Sequence, residues 1–136
     1  MKALYFFAGL LCLPNIACAA EEWVTIPNND PNITFAVDKS SIERQGDVIR
    51  LWEKLVYTQP KTKDEASGKM VKEKKVHRLM NCVDHTQGVI TGVSYTENGR
   101  FISSVTYDEP HAMSPVPPGT LAAEQLRLVC APTSSR

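Results

Sequence analysis

The stretch VIRLWEKLVY, from Val48 to Tyr57, sets the fold of this chain. Charged residues are interleaved with apolar ones along it, as in a strand that has one face on a hydrophobic core and the other in water. Shorter runs rich in β-branched and aromatic residues lie on both sides of this stretch, and turn-forming residues separate them. The pattern predicts an antiparallel sheet in which strands that are consecutive in sequence pair with each other.

Five further runs are predicted as strands, and Asn98-Gly99 between the last two is a strong hairpin signal. The polar segment KSSIERQGD, which follows Asp38, is predicted to hold a single helical turn before Gly46. The apolar residues Leu51, Leu55, Val93 and Val105 are predicted to lie in the core. The five runs are EWVTI around Val24, Ile33–Asp38, Val76–Val83, Val89–Thr96 and Phe101–Tyr107.

One helix is predicted to end the domain. Thr120 is a plausible N-cap, and the apolar residues Ala122, Leu126, Val129 and Cys130 follow at the spacing of one helical face. The sequence therefore predicts an α+β fold, with an antiparallel meander of about six strands and a C-terminal helix packed on one face.

Residues 1–20 are predicted to be a signal peptide, and residues 21–136 to form one domain. The apolar run Ala3–Leu13 has the length of a signal-peptide core and is too short to span a membrane. Small residues at Ala17–Ala20 offer a cleavage site. Cys18 is the alternative, because a bacterial lipoprotein carries its anchor on a cysteine at this place. No later stretch is long and apolar enough to cross a bilayer.

The cysteines predict a disulfide in the exported domain. Two of the four lie in the signal segment, which leaves Cys82 and Cys130 as a pair. In an oxidising compartment such a pair is expected to be bonded. The bond closes a loop of about 49 residues, which is worth about 4 kcal/mol when it is treated as a restriction of the unfolded chain.

The residue types exclude several kinds of function. Basic and acidic residues are equal in number, so no net charge attracts nucleic acid. His77, Cys82, Asp84 and His85 lie close together in sequence, but they lack the ligand pairs of a zinc site. A bonded Cys82 is neither a nucleophile nor a ligand. We interpret this cluster as a strand, one half of a disulfide and a turn, and we predict no catalytic residue, metal or cofactor.

Two other features have competing interpretations. Pro60–Lys75 is lysine-rich and is interpreted either as a solvated hairpin loop or as a basic contact for an anionic partner. Trp23 and Trp52 are interpreted as packing on the sheet rather than as a ligand stack. A sheet face not covered by the helix is a candidate surface for binding or for a homodimer. The lysines are Lys61, Lys63, Lys69, Lys72, Lys74 and Lys75.

With these landmarks in place, the chain resembles the surface-adhesin protein E family of Gram-negative bacteria. The resemblance is carried by EEWV, FAVDKSSIERQGDVIRLWEKLVY, NCVD, GVSYTENGR and PPGTLAAEQLRLVCA. It implies an antiparallel sheet with a C-terminal helix and a disulfide between Cys82 and Cys130. The namesake of the family binds host extracellular-matrix and serum proteins at the bacterial surface.

The functional prediction is therefore an exported, non-enzymatic binding module in the periplasm or on the outer-membrane surface. Host matrix or serum proteins are the first class of partner. The alternative is a periplasmic protein that binds or stabilises an envelope component. An enzyme is the third hypothesis.

Overall fold

The computed structural model describes residues 20–60, 62–108 and 113–131. Nearly all of the predicted signal peptide, together with Cys18, Lys61 and His111, lies outside these residues. The described part contains nine strands and one helix, α1, which spans Leu121–Cys130. The strands are β1 (Trp23–Ile26), β2 (Ile33–Gln45), β3 (Val48–Tyr57), β4 (Thr62–Lys63), β5 (Met70–Val71), β6 (Glu73–Asn81), β7 (Thr86–Tyr95), β8 (Phe101–Thr106) and β9 (Ser114–Pro115).

The main sheet is an antiparallel meander in the order β1-β2-β3-β6-β7-β8, which confirms the predicted architecture. The short strand β9 adds to β7 beyond the end of β8, and β4 and β5 pair only with each other. No helix in the described ranges has the length and hydropathy needed to cross a bilayer.

The predicted helical turn after Asp38 is wrong, because β2 continues to Gln45. A bulge between Asp38 and Glu43 takes up the polar segment without breaking the strand. The Ser41 hydroxyl accepts a 2.8 Å hydrogen bond from the Trp52 backbone N–H and donates to the Asp38 carbonyl at 2.6 Å. These side-chain hydrogen bonds satisfy backbone groups at the bulge, so the segment remains extended.

The core lies between the sheet and α1. Ile49 and Leu51 of β3 are fully buried there, and Leu126 and Val129 of the helix pack against the same cluster. Leu55 also packs against it, as predicted. The other members are Ile26, Phe35, Val37 and Met80.

Two of the predicted core residues lie elsewhere. Val105 is 52% exposed, because it lies on β8 at the edge of the sheet, which the core cluster does not reach. Val93 belongs to the opposite face of the sheet, since its register partner Lys75 faces away from the helix.

The predicted disulfide joins Cys82 and Cys130, whose Cα atoms are 5.6 Å apart. It ties the end of α1 to the residue that follows β6. That strand spans Glu73–Asn81, so it begins and ends earlier than the predicted Val76–Val83. Asn81 ends it, because its side-chain oxygen accepts hydrogen bonds from the next backbone N–H groups, at Val83 and Asp84.

A buried polar network also joins the helix to the sheet. Glu53 is 1% exposed and points to the core side of β3. Its Oε1 accepts hydrogen bonds from the Arg78 guanidinium, one of them 2.8 Å long from Nε, and its Oε2 accepts from the Gln125 amide on α1. Arg78 Nη1 also donates to Gln87 at 2.8 Å. A buried carboxylate is tolerated here because its partners are supplied by different elements of the fold.

Candidate functional site

The face of the sheet opposite α1 carries the most distinctive side chains, and we call it the open face. Strand pairing places Trp23, Asp38, Trp52 and His77 directly opposite one another across β1, β2, β3 and β6. Residues that are opposite one another in adjacent strands point to the same side of the sheet. One row of the open face therefore holds both tryptophans of the chain.

Lysines form part of the neighbouring row. Lys54 of β3 lies directly opposite Lys75 of β6. The Lys54 Nζ lies 4.2 Å from the ring centroid of Trp23. The Lys75 Nζ lies 5.8 Å from the centroids of both Trp23 and Tyr95. Cations at these distances from ring faces are held by cation–π attraction.

Trp52 is held on one side by an imidazole ring. The centroids of Trp52 and His77 are 4.8 Å apart, and the two rings are within 10° of parallel. Each tryptophan of the open face is thus packed against a neighbouring side chain of the sheet. Both tryptophans therefore pack on neighbouring side chains of the sheet, as predicted. Neither ring faces the core.

A cleft of about 220 Å³ lies between these side chains. Trp23, Trp52 and Tyr95 supply aromatic surface to its walls, and Lys75 supplies a cation. The remaining lining residues are Glu21, Asp38 and Val93.

Asp38 is the buried charge of this cleft, with 6% exposure. Its Oδ1 accepts hydrogen bonds from the Glu22 N–H at 2.9 Å, from the Ser40 N–H at 3.0 Å and from the Ser40 hydroxyl at 2.6 Å. Burial alone raises the pKa of this carboxyl, but these hydrogen bonds and the charge of Lys54 outweigh it, so the pKa lies below its usual range. Asp38 is therefore ionised near neutral pH.

The lysine-rich segment does not form a single surface. Lys63 and Lys69 lie on the β4–β5 hairpin, and Lys72 donates from Nζ to the Thr58 carbonyl at 2.8 Å. Lys74 and Lys75 are adjacent residues of β6, so they point to opposite faces of the sheet. Only Lys75 of these five belongs to the open face.

The hairpin is anchored to the sheet through Asp64. Its carboxylate accepts hydrogen bonds from the Ser67 hydroxyl at 2.7 Å and from the Ser103 hydroxyl of β8 at 3.0 Å. The hydrogen bonds from Ser67, followed by the one from Ser103, hold the pKa of Asp64 below its usual range. The segment is therefore a hairpin docked against β8.

The histidine and cysteine cluster is dispersed. His77 stacks on Trp52, Cys82 is bonded to Cys130, and His85 lies in the turn before β7 with a φ of 52°. Within the described ranges, no three histidine, cysteine, aspartate or glutamate side chains come close enough together to hold a metal ion.

Sequence reasoning missed three residues of the open face: Asp38, Lys54 and Tyr95. A signal for Lys54 was present, because the two-residue period of β3 places it on the same side as Trp52. Asp38 and Tyr95 come from other strands, and their proximity depends on the register of the whole sheet.

Comparison with known protein families identifies the family of this chain. The model of the family described as surface-adhesin protein E matches residues 23–131, which include all the strands of the sheet and the helix. A search of curated proteins finds no similar sequence. The family match covers most of the chain, and the chain therefore belongs to the surface-adhesin protein E family.

Proposed function

We propose that this chain is an exported, non-enzymatic binding module of the bacterial envelope, and that it binds host extracellular-matrix or serum proteins through its open face. One observation carries the proposal. The aromatic rings of Trp23, Trp52 and Tyr95 are combined with the ammonium groups of Lys54 and Lys75 on the side of the sheet that α1 leaves uncovered. Membership of an adhesin family supports the same class of function.

The aromatic residues of the open face are of the types found in protein-binding surfaces. Tryptophan and tyrosine are enriched at the centres of protein interfaces, where they contribute most of the binding energy. Lys54 and Lys75 are directly opposite each other, and like charges in that position destabilise a sheet. Cation–π contacts with Trp23 and Tyr95 offset this repulsion in part, and the two ammonium groups together can attract an acidic group on the surface of a partner.

Paired lysine variants test this proposal. The exported protein is immobilised on a biosensor and exposed to purified matrix and serum proteins. Lys54→Gln/Lys75→Gln is expected to weaken binding by about tenfold or more, the effect of losing about 1.4 kcal/mol at an interface centre. Lys63→Gln/Lys69→Gln is the matched control, because it removes the same charge from the β4–β5 hairpin.

The comparison of these variants shows whether the partner contacts the open face or the β4–β5 hairpin. Equal binding by wild type and the open-face variant, with loss in the hairpin variant, would move the contact to the lysine-rich hairpin. No binding by the wild-type protein would remove the host-protein proposal. Size-exclusion chromatography of the same variants shows whether a homodimer uses the open face instead.

Display on the cell surface is a separate part of the proposal. Protease added to intact cells is expected to degrade a surface-displayed domain while periplasmic proteins survive. A domain that remains untouched until the outer membrane is opened works in the periplasm. That result excludes direct host adhesion and favours an envelope component as the partner.

Processing at the N-terminus is also proposed. We infer that residues 1–20 are removed and that the mature protein begins near Glu21. Its mass on spectrometry is expected to match an unmodified chain. A mature protein that begins at a diacylated Cys18 would instead establish a lipid anchor.

A further inference from the structure

We infer that the cleft on the open face binds one uncharged sugar ring of a host glycan. The inference rests on the proposed function, because it takes the open face as the contact surface and names the chemistry that this surface recognises. The cleft volume of about 220 Å³ is below the about 300–1,000 Å³ typical of pockets for drug-sized ligands. It therefore suits a single ring, with the rest of the glycan lying across the sheet.

Aromatic walls suit the apolar side of such a ring. A pyranose presents C–H groups on its faces, and these pack on the electron-rich faces of indole and phenol rings. Trp23, Trp52 and Tyr95 all line the cleft. Because His77 already stacks on Trp52 and Lys54 already lies over Trp23, both indoles are oriented before a ligand arrives. Pre-oriented side chains lose little conformational freedom on binding.

Asp38 supplies a hydrogen-bond acceptor for hydroxyl groups. All three hydrogen bonds that it receives within the described part of the chain go to Oδ1. Its other oxygen, Oδ2, receives none of these bonds, and Asp38 lines the cleft, so we assign Oδ2 as the acceptor for a ligand hydroxyl. A hydrogen bond from a sugar hydroxyl to this buried carboxylate is charge-assisted and stronger than one between neutral groups.

The charge balance favours an uncharged ligand. Two carboxylates, on Glu21 and Asp38, line the cleft together with the ammonium group of Lys75. Lys54 is directed to the Trp23 ring and interacts electrostatically with Asp38. A sulfate or carboxylate held inside the cleft would be repelled by these two carboxylates, and an ammonium ligand held there would be repelled by Lys75. A neutral ring with several hydroxyls avoids both kinds of repulsion.

Tryptophan fluorescence tests the inference, because both tryptophans of the chain line the cleft. The folded exported protein is titrated with the methyl glycosides of glucose, galactose, mannose and N-acetylglucosamine, and separately with a sulfated and a uronic methyl glycoside. We expect a saturable change with at least one of them that persists at about 0.5 M salt, where exposed charges are screened. Tyr95→Ala is expected to weaken it about three- to tenfold through loss of one aromatic contact.

Tyr107→Ala is the matched control, since this exposed tyrosine follows β8 and does not line the cleft. If Tyr95→Ala fails to fold by circular dichroism, Val93→Gln replaces it, because the longer side chain enters the cleft from β7. Weakening of the response by about threefold or more in either folded variant, with Tyr107→Ala unchanged, supports the inference.

Two results would overturn it. One is the absence of a saturable change with every glycoside, and the other is a response confined to sulfated or uronic sugars that salt abolishes. If matrix or serum proteins still bind wild type and not Lys54→Gln/Lys75→Gln, the proposed function stands without the sugar. If those proteins do not bind at all while a glycoside does, the proposed function fails and the sugar site remains.

Discussion

Removal of the Glu53 carboxylate is expected to be among the most destabilising single changes in this domain. Glu53→Leu keeps a side chain of similar size in the core but leaves the Arg78 guanidinium and the Gln125 amide without their shared acceptor. Breaking a buried ion pair by removing one partner costs about 3–5 kcal/mol. Arg78 is 18% exposed and keeps Gln87 as a partner, so we expect the lower end, about 3 kcal/mol.

Urea unfolding of the oxidised protein, followed by circular dichroism, measures this change. Glu43→Leu is the control, because Glu43 lies exposed on the neighbouring strand β2 and is expected to change stability by about 0.5 kcal/mol or less. The triple variant Glu53→Leu/Arg78→Met/Gln125→Leu replaces the whole network with apolar groups. It is expected to recover most of the loss, since replacing all partners of a buried pair is often nearly neutral.

A cost of less than about 1 kcal/mol for Glu53→Leu, the value of an ordinary hydrogen bond, would refute this role of the network. This role is also refuted if the triple variant is as unstable as the single one. In that case the loss comes from poor packing of the introduced leucine rather than from unsatisfied partners.

Three further predictions concern the disulfide, the helix start and acid stability. Cys82→Ser/Cys130→Ser is expected to lower the free energy of unfolding by about 4 kcal/mol, and a loss below about 1 kcal/mol in urea unfolding would contradict this. Thr120→Ala is expected to cost about 1 kcal/mol in thermal unfolding, because Thr120 accepts from the Ala123 N–H at 3.2 Å; an unchanged melting temperature would argue against this cap. Since the pKa of Asp38 lies below the ordinary 3.8, its ionised form stabilises the fold above that pH, and the contribution is lost as pH falls through the lower folded value. Asp38→Asn should therefore lose less stability than wild type on acidification below pH 3.8, and equal losses in urea titrations would contradict it.

Much of the architecture follows from local patterns. The two-residue period of β3, the hairpin signal at Asn98-Gly99 and the helical spacing before Cys130 each predict an element that the structure contains. The disulfide follows from export and from the number of cysteines. The three elements depend on short segments and the disulfide on the number of cysteines, so sequence alone is enough to predict them.

The bulge in β2 did not follow from local patterns. Ser40 and Ser41 are common in turns, and a polar run with a glycine at its end resembles a short helix with its stop signal. The segment stays extended because Ser41 bonds to the Trp52 backbone on the adjacent strand. A contact between residues on adjacent strands decides the local conformation. That conformation cannot be predicted from the neighbouring residues alone.

The buried network was recognisable only in part. Glu53 lies between Leu51 and Leu55 in the period of β3, which places it on the core face. Gln125 lies three residues after Ala122 on the apolar face of the helix. The sequence thus contains both polar residues on buried faces, but their pairing depends on how α1 sits on the sheet.

The candidate site depended most on tertiary structure. The lysine-rich segment is prominent as a charge cluster in the sequence, yet the fold directs its lysines to different faces. The open face is formed from five strands, and each contributes one or two of the residues that matter. Register between strands, rather than composition, brings Trp23, Trp52 and Lys75 together.

Lysine footprinting of a bound complex shows which face of the domain contacts the partner. The protein is acetylated with and without a saturating matrix or serum partner, and the modification of each lysine is measured by mass spectrometry. If the open face is the contact surface, Lys54 and Lys75 become protected while Lys63 and Lys69 react at the same rate in both samples. Protection of Lys63 and Lys69, with Lys54 and Lys75 unchanged, would contradict it.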